Sequence, residues 1–172
     1  MRKAKLKHLL VDEQVVKRGD FTLTSGKKSD YYVDMKKGIT NPIILAEIAN
    51  IIVPMITNEE KIGCVELGAV PIAVVVSIKK MIPYVIIRKG ERTHGTGKRI
   101  EGEVRKGERF LFIEDVVTTG QTIADAIEIL RNEGAIVERA ITVVDRDEGG
   151  REKLKEKNIE LLSIFTAKEL LI

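Results

Sequence analysis

The sequence contains a single cysteine, Cys64, among its 172 residues. One cysteine excludes a disulfide framework within the chain and favours a reducing compartment. No apolar run approaches the roughly 20 residues that a membrane-spanning helix needs, and no apolar signal-type segment follows the basic start MRKAKLK. We therefore expect a cytoplasmic protein that does not associate with a membrane.

Neither sign of charge dominates the composition. The chain has 29 Lys and Arg residues against 26 Asp and Glu residues, which gives a formal net charge of +3. Because both signs are interspersed, the sequence has no charged field built for nucleic acid, and we expect no nucleic-acid partner. A hydrophobic content of 44% over 172 residues suits one domain, 1–172, that buries roughly 70% of the surface of its unfolded chain.

The most informative stretch is FLFIEDVVTTGQT, residues 110–122. Its first four residues form an apolar run that is typical of a parallel strand covered on both faces. Glu114 and Asp115 follow at the carboxyl end of this strand, which is the end where open α/β sheets bind their ligands.

The Thr- and Gly-rich turn over residues 118–122 comes next, where the apolar stripe of a helix begins. The unpaired N–H groups and the positive dipole end of a helix start attract phosphate. Carboxylates beside such a turn predict a site for a polyhydroxylated sugar phosphate. The alternative is that the turn merely caps a helix and that the two acids are solvated loop residues.

Apolar periodicity predicts alternating helices and strands along the rest of the chain. Helices are predicted over residues 2–17, 43–56, 69–80, 123–133 and 151–157, a hairpin over 21–34, and strands over 62–67, 83–87, 135–144 and, at a sheet edge, 159–164. This order predicts an α/β fold with a Rossmann-like twisted, mostly parallel sheet flanked by helices. The first helix and the hairpin form a small N-terminal hood, about residues 1–40.

A glycine-rich cationic segment follows the predicted strand over 83–87. Residues 88–102 include four glycines and five Lys or Arg residues, a composition that does not support a stable helix. It predicts a mobile lid loop, about residues 88–104, that closes over an anionic ligand. The alternative is a disordered surface loop.

Two further strand ends carry candidate binding groups. The turn over residues 68–71 could bind diphosphate through backbone amides, although every βα unit needs such a turn. Arg146 lies just past the strand over 135–144. Its guanidinium could bind a substrate carboxylate through two N–H groups, or it could form an ordinary surface ion pair with Asp145 or Asp147.

Taken together, these motifs resemble the orotate phosphoribosyltransferases, a branch of the type I phosphoribosyltransferases. FLFIEDVVTTGQT resembles the signature for phosphoribosyl diphosphate (PRPP), FTLTSGKKSDYYVD looks like the hood motif and RKGERTHG looks like the lid. The resemblance implies condensation of orotate with PRPP to orotidine 5-monophosphate and diphosphate, in de novo UMP biosynthesis. It also implies Mg²⁺ carried on PRPP without direct protein ligands, and a homodimer whose lids act in trans.

The resemblance also implies roles for individual residues. The catalytic residues would be Asp115, Glu114, Arg92 and His94. PRPP would contact Arg88, Lys89, Arg92, His94, Glu114, Asp115, Val116, Val117, Thr118, Thr119, Gly120, Gln121 and Thr122. Orotate would contact Thr118 and Arg146.

The sequence departs from the family pattern at three places. Arg92 and Thr24 stand where many members carry Lys, and the 68–71 turn is short and lacks a Lys. Two other functions remain open at this point: transfer to another base, and a PRPP-sensing regulator without catalysis. The second would need an effector or DNA-binding segment, and the sequence has no appended helix-turn-helix.

Overall fold

The computed structural model describes residues 2–22, 28–90 and 99–171. The N-terminal part consists of helix α1 (Arg2–Asp12) and an antiparallel pair of strands, β1 (Val16–Thr22) and β2 (Lys28–Val33). The hairpin prediction is confirmed, but the prediction that the first helix continues to residue 17 is wrong. The chain turns at residues 13–15, where Val15 is fully buried, and Val16 pairs with Val33. A tertiary pairing therefore overrides the helical periodicity.

A six-stranded sheet forms the centre of the molecule. Its strands are β3 (Lys61–Val65), β4 (Tyr84–Ile87), β5 (Ile100–Glu101), β6 (Arg109–Val117), β7 (Ile136–Asp145) and β8 (Glu160–Thr166). Their spatial order is β5-β4-β3-β6-β7-β8. All neighbours are parallel except β4 and β5, and β8 lies at the edge as predicted. The mostly parallel α/β fold is thereby confirmed.

Six further helices follow α1 in the described part of the chain: α2 (Met35–Ile39), α3 (Pro42–Ile52), α4 (Ala69–Lys80), α5 (Gln121–Asn132), α6 (Gly150–Glu156) and α7 (Ala167–Leu170). The helix predicted over 43–56 ends at Ile52 and continues as a 3₁₀ turn, Val53–Met55. Pro54 accounts for this change, since proline lacks the amide that an α-helix interior needs. None of the described helices is long and apolar enough to cross a membrane.

The sheet has an apolar core on each face. Leu111 and Ile113 pack with the side chains of α1, α3 and α4. Phe110 and Phe112 point to the opposite side and pack with α5 and α6. β6 is therefore covered on both faces, which explains why its sequence is a continuous apolar run.

The central strand is longer than its apolar run. β6 continues past Ile113, and its pairing with β7 includes Glu114 opposite Thr142 and Val117 opposite Asp145. The two acids thus lie in the last paired residues of the strand. This backbone pairing holds them more firmly than a loop would.

Candidate active site

Glu114 and Asp115 form the floor of the candidate site. Glu114 is buried, with 6% of its surface exposed, and its Oε1 accepts a hydrogen bond from the Asp115 amide at 3.0 Å. The Asp115 carbonyl accepts a bond from the hydroxyl of Thr142 at 3.3 Å. Thr142 is fully buried on β7, so the neighbouring strand fixes the backbone of the acid pair.

The two carboxyl groups differ in their electrostatics. Burial raises the pKa of Glu114 well above its usual range, because desolvation disfavours the charged form and Asp115 adds a hydrogen bond and a like charge. The Asp115 amide and the charge of Lys89 oppose this rise in pKa. A raised pKa favours the protonated form of Glu114.

The Thr- and Gly-rich turn leads directly from β6 into α5. Gly120 has φ +75° and is the N-cap of α5, and its carbonyl accepts the Ala124 amide at 3.0 Å. A small cavity of about 40 Å³ lies at this helix start, and its lining runs from Glu114 to the first turn of α5. The lining residues are Glu114, Val116, Val117, Thr118, Gly120, Gln121, Thr122 and Ile123. The predicted phosphate turn and the acid pair are therefore brought together.

A glycine that the sequence reasoning missed supports this turn from the other side. A β-carbon at Gly150 would stand 2.4 Å from Cγ1 of Val117 and 2.7 Å from the carbonyl oxygen of Thr118. A β-carbon at Gly120 would in turn meet the Gly150 backbone at 2.9 Å. The start of α6 can pack against the turn only because both positions lack a side chain. In the sequence, only the Gly149-Gly150 pair indicated a close contact here, and the pair did not show which segment packs against it.

The turn between β3 and α4 also reaches the acid pair. A β-carbon at Gly68 would stand 2.1 Å from Oδ2 of Asp115. Gly68 is also the N-cap of α4, where the first amides of the helix have no partner within it. The 68–71 turn therefore lies beside the carboxylates, where the sequence made it a weak candidate for diphosphate.

The start of the lid loop is tied to this region. The Lys89 amide donates to Oε1 of Glu66 at 2.7 Å, a contact that the sequence did not suggest. Arg88 donates from Nη1 to Glu101 at 3.2 Å, and its amide bonds the Arg99 carbonyl at 2.8 Å. Arg92 and His94 lie outside the described residues, as does Thr24 of the hood.

Arg146 stands at the carboxyl end of β7, next to β6. Its amide donates to the Val117 carbonyl at 2.9 Å, and its guanidinium carbon lies 4.8 Å from the ring centre of Tyr31 on β2. Nη2 donates to the hydroxyl of Ser29 at 3.3 Å. The hood and the end of the sheet thus meet at Arg146, which is only 7% exposed.

The ion pair of Arg146 differs from the one that the sequence suggested. Nη2 lies 2.9 Å from Oε1 of Glu148, so the guanidinium is paired with an acid, but not with Asp145 or Asp147, the two acids that the ion-pair alternative named. Asp145 is bound instead by Arg151 at 3.1 Å and by the Asp147 amide at 3.0 Å. These bonds hold Asp145 inside the turn and leave Glu148 as the acid that reaches the guanidinium.

Comparison with known proteins agrees with this geometry. Residues 38–167 match the phosphoribosyl transferase domain. The orotate phosphoribosyltransferase of Picrophilus torridus is 53% identical over 165 residues, which are 96% of this chain and 99% of that protein. The crystal structure of orotate phosphoribosyltransferase from Aeropyrum pernix has a TM-score of 0.87 at 32% identity and covers 96% of both chains. The Mycobacterium tuberculosis orotate phosphoribosyltransferase in complex with PRPP has a TM-score of 0.81 at 26% identity, over 100% of both chains.

A mostly parallel sheet with an acid pair and a glycine-containing turn at the end of its central strand, matched over residues 38–167, defines a phosphoribosyltransferase domain. The identities extend over nearly the whole chain and include the hood, which precedes that domain. The chain belongs to the orotate phosphoribosyltransferase family.

Proposed function

We propose that the protein transfers the phosphoribosyl group of PRPP to orotate, which yields orotidine 5-monophosphate and diphosphate in the de novo synthesis of UMP. One observation carries this proposal. Arg146, a buried cation suited to a carboxylate, is hydrogen-bonded through its amide to the strand that bears the acid pair and the phosphate turn. A base that carries a carboxylate would therefore meet a ribose held beside it.

The PRPP half of the site follows from the end of β6. The start of α5 and the hydroxyls of residues 118–122 would bind the 5-phosphate, because a helix N-terminus supplies unpaired amides and a positive dipole end. Asp115 and Glu114 would accept the ribose hydroxyls. The 68–71 turn would bind the diphosphate next to the ribose, since Gly68 lies against Asp115. This arrangement fixes the ribose between the 5-phosphate and the diphosphate.

The orotate half uses Arg146 and Thr118. The Nε group of Arg146 is buried and has no hydrogen-bond partner among the described residues. A planar carboxylate satisfies such a group when it binds two guanidinium N–H groups in parallel. Uracil lacks this carboxylate and would leave the Nε group of Arg146 without a partner.

Charge development explains the remaining parts. Cleavage of the anomeric bond builds positive charge on the ribose and negative charge on diphosphate. Asp115 stabilises the first charge electrostatically, and the lid residues Arg88, Lys89, Arg92 and His94 stabilise the second. Closure of the lid loop, about residues 88–104, excludes water that would hydrolyse the sugar cation.

Mg²⁺ would arrive on PRPP. The described residues contain no group of three or more His, Cys, Asp or Glu side chains arranged to hold an ion. The oxygens of PRPP and of water are the hard ligands that Mg²⁺ prefers. Carried in this way, Mg²⁺ would neutralise charge on the diphosphate leaving group.

We also propose that the whole chain, 1–172, is one catalytic domain of a cytoplasmic homodimer whose lids act in trans. Ile43 on α3 and Ile78 on α4 are 58% and 66% exposed, and Met81 after α4 is 85% exposed. The apolar surface of these side chains would be removed from water in a contact between subunits. Cys64 is buried and unpaired, which suits a reducing compartment.

A base panel tests the proposed reaction. The protein is incubated with PRPP and Mg²⁺, and diphosphate release is followed with orotate, uracil, hypoxanthine and adenine in turn. We expect orotate to support release, uracil to do so far more slowly and the purines to fail. Activity with a purine and none with orotate would assign a different base. No release with any base, together with measurable PRPP binding, would favour a PRPP-sensing regulator.

A further inference from the structure

The ion pair between Arg146 and Glu148 lies where the substrate carboxylate is expected. Nη2 of Arg146 is 2.9 Å from Oε1 of Glu148, and the two side chains are 6% and 29% exposed. The cation is therefore enclosed while its partner acid borders the solvent. Glu148 is the member of the pair with room to move.

The position of the guanidinium does not depend on Glu148. The Arg146 backbone amide is bound to Val117 at 2.9 Å, the guanidinium stacks on Tyr31 at 4.8 Å, and Nη2 also donates to Ser29 at 3.3 Å. These three contacts come from two other strands and would remain if Glu148 moved away. Glu148 thus contributes charge at this place more than orientation.

The contact with Glu148 leaves part of the guanidinium unsatisfied. Nε of Arg146 is buried without a hydrogen-bond partner among the described residues, so Glu148 does not bind the Nε edge. A carboxylate that bonded two N–H groups at once would make the stronger contact. An incoming planar carboxylate can therefore replace the side chain of Glu148.

The segment that carries Glu148 is suited to such an exchange. Glu148 lies between Asp147, which has φ +55°, and Gly149, which has φ +93°. The residues between β7 and α6 belong to no helix or strand. The glutamate side chain can turn toward solvent without disturbing either element.

We propose that Glu148 neutralises Arg146 while no orotate is bound and is displaced by the carboxylate of the substrate. The inference rests on the proposed function, in which Arg146 binds orotate. Glu148 has two effects under this proposal. It stabilises a buried cation when no substrate is bound, and it competes with orotate for the same guanidinium.

Glu148→Gln tests the proposal because it keeps the shape of the side chain and removes its charge. We expect the KM for orotate to fall about 2- to 5-fold, the range that a partly exposed ion pair can supply. The KM for PRPP should stay within about twofold, since that half of the site is unchanged. Activity with uracil should not improve, because uracil offers no carboxylate to the freed cation.

Two further variants separate competition from other effects. Glu152 is exposed on α6, and Glu152→Gln makes the same change in net charge without touching Arg146. It should leave the KM for orotate unchanged. In an Arg146→Ala background, Glu148→Gln should no longer lower the KM, because its effect acts through the guanidinium.

The outcomes distinguish a failure of the proposed function from a failure of the role of Glu148. Wild-type protein without diphosphate release from orotate would overturn the proposed function itself. If the wild type is active and the Glu148→Gln variant has an unchanged or higher KM for orotate, only the role of Glu148 is overturned. A higher KM would indicate that Glu148 positions Arg146. Thermal unfolding without substrate supplies a check besides activity: Glu148→Gln should melt at a lower temperature, because the buried Arg146 loses its counter-ion, and an unchanged melting temperature would contradict the proposal.

Discussion

Gly68 lies so close to Asp115 that a β-carbon at position 68 would stand 2.1 Å from the Oδ2 atom of that carboxylate. Real β-carbons do not approach a carboxylate this closely, so any side chain here must displace either the acid or the turn. Two segments that are 47 residues apart in sequence thereby share one site. Position 68 therefore requires glycine because of the close approach to Asp115 and not because of its backbone conformation.

Gly68→Ala should impair the PRPP half of the reaction. We expect the rate of diphosphate release at saturating orotate to fall at least about tenfold, a loss of about 1.4 kcal/mol of transition-state stabilisation. Gly107 offers a matched control, because it has φ +88° and open space around its β-carbon position. Gly107→Ala should lower the unfolding temperature through backbone strain and keep the turnover. Normal turnover in Gly68→Ala would mean that Asp115 can move without consequence.

Asp115→Asn should slow turnover while the protein stays folded. The amide keeps the shape of the carboxylate and removes its charge from beside the developing ribose cation. We expect a decrease in kcat with a melting temperature close to that of the wild type, measured by thermal unfolding of both proteins. Wild-type turnover in this variant would leave the acid pair without an electrostatic role.

Arg146→Ala should act mainly on orotate. Loss of a buried charge-assisted fork costs about 2 to 5 kcal/mol when the partner carboxylate stays desolvated, so the KM for orotate should rise by at least about 30-fold. The KM for PRPP should change little. Steady-state kinetics with each substrate varied in turn measures both. Equal losses for both substrates would point to a collapse of the site instead.

Much of the fold was predictable because local sequence and tertiary environment agree. The apolar run of β6 predicted a strand covered on both faces, and cores on either side explain that run. The errors occur where pairing partners decide the outcome. The apolar periodicity places Val16 in a helix, whereas in the structure Val16 is a strand residue that pairs with Val33. β5 has only two residues, and its strand character comes from Ile86 and Ile87.

The site was predictable in its chemistry and less so in its contacts. The acids and the phosphate turn are adjacent in sequence, so their juxtaposition could be inferred. The approach of Gly150 to Thr118 and of Glu66 to Lys89 joins residues that are distant in sequence. The pairing of Arg146 with Glu148 rather than with a nearer acid depends on the turn that Asp145 stabilises. Residue type alone does not encode such contacts.

Glu114→Gln should change how stability depends on pH. A carboxyl whose pKa is raised in the folded state contributes stability that is fully present below its unfolded pKa and is lost as the pH rises through its folded pKa. Each unit of difference costs about 1.4 kcal/mol above that pH. Because the pKa of Glu114 is raised by burial and by Asp115, the unfolding free energy of Glu114→Gln should exceed that of the wild type increasingly from about pH 5 upward.

Denaturant unfolding at a series of pH values measures this difference. Glutamine keeps an oxygen that can accept the Asp115 amide, so the comparison isolates the charge. Glu152→Gln, at an exposed position on α6, should give a curve parallel to that of the wild type. Parallel curves for Glu114→Gln as well would show that ionisation of Glu114 does not oppose folding.

Mixed dimers of two inactive variants test the proposal that each lid completes the site of the partner subunit. Two inactive variants are needed: Arg88→Ala with Arg92→Ala in the lid, and Asp115→Asn with Arg146→Ala in the site floor. If the lids act in trans, a mixed dimer has one site with both defects and one site with neither. Random exchange should then restore about a quarter of wild-type activity, because about half of the dimers are mixed and each has one complete site. If the lids act in cis, every site in a mixed dimer keeps a defect. Mass spectrometry that detects mixed dimers while activity stays at the level of the separate variants would exclude action in trans.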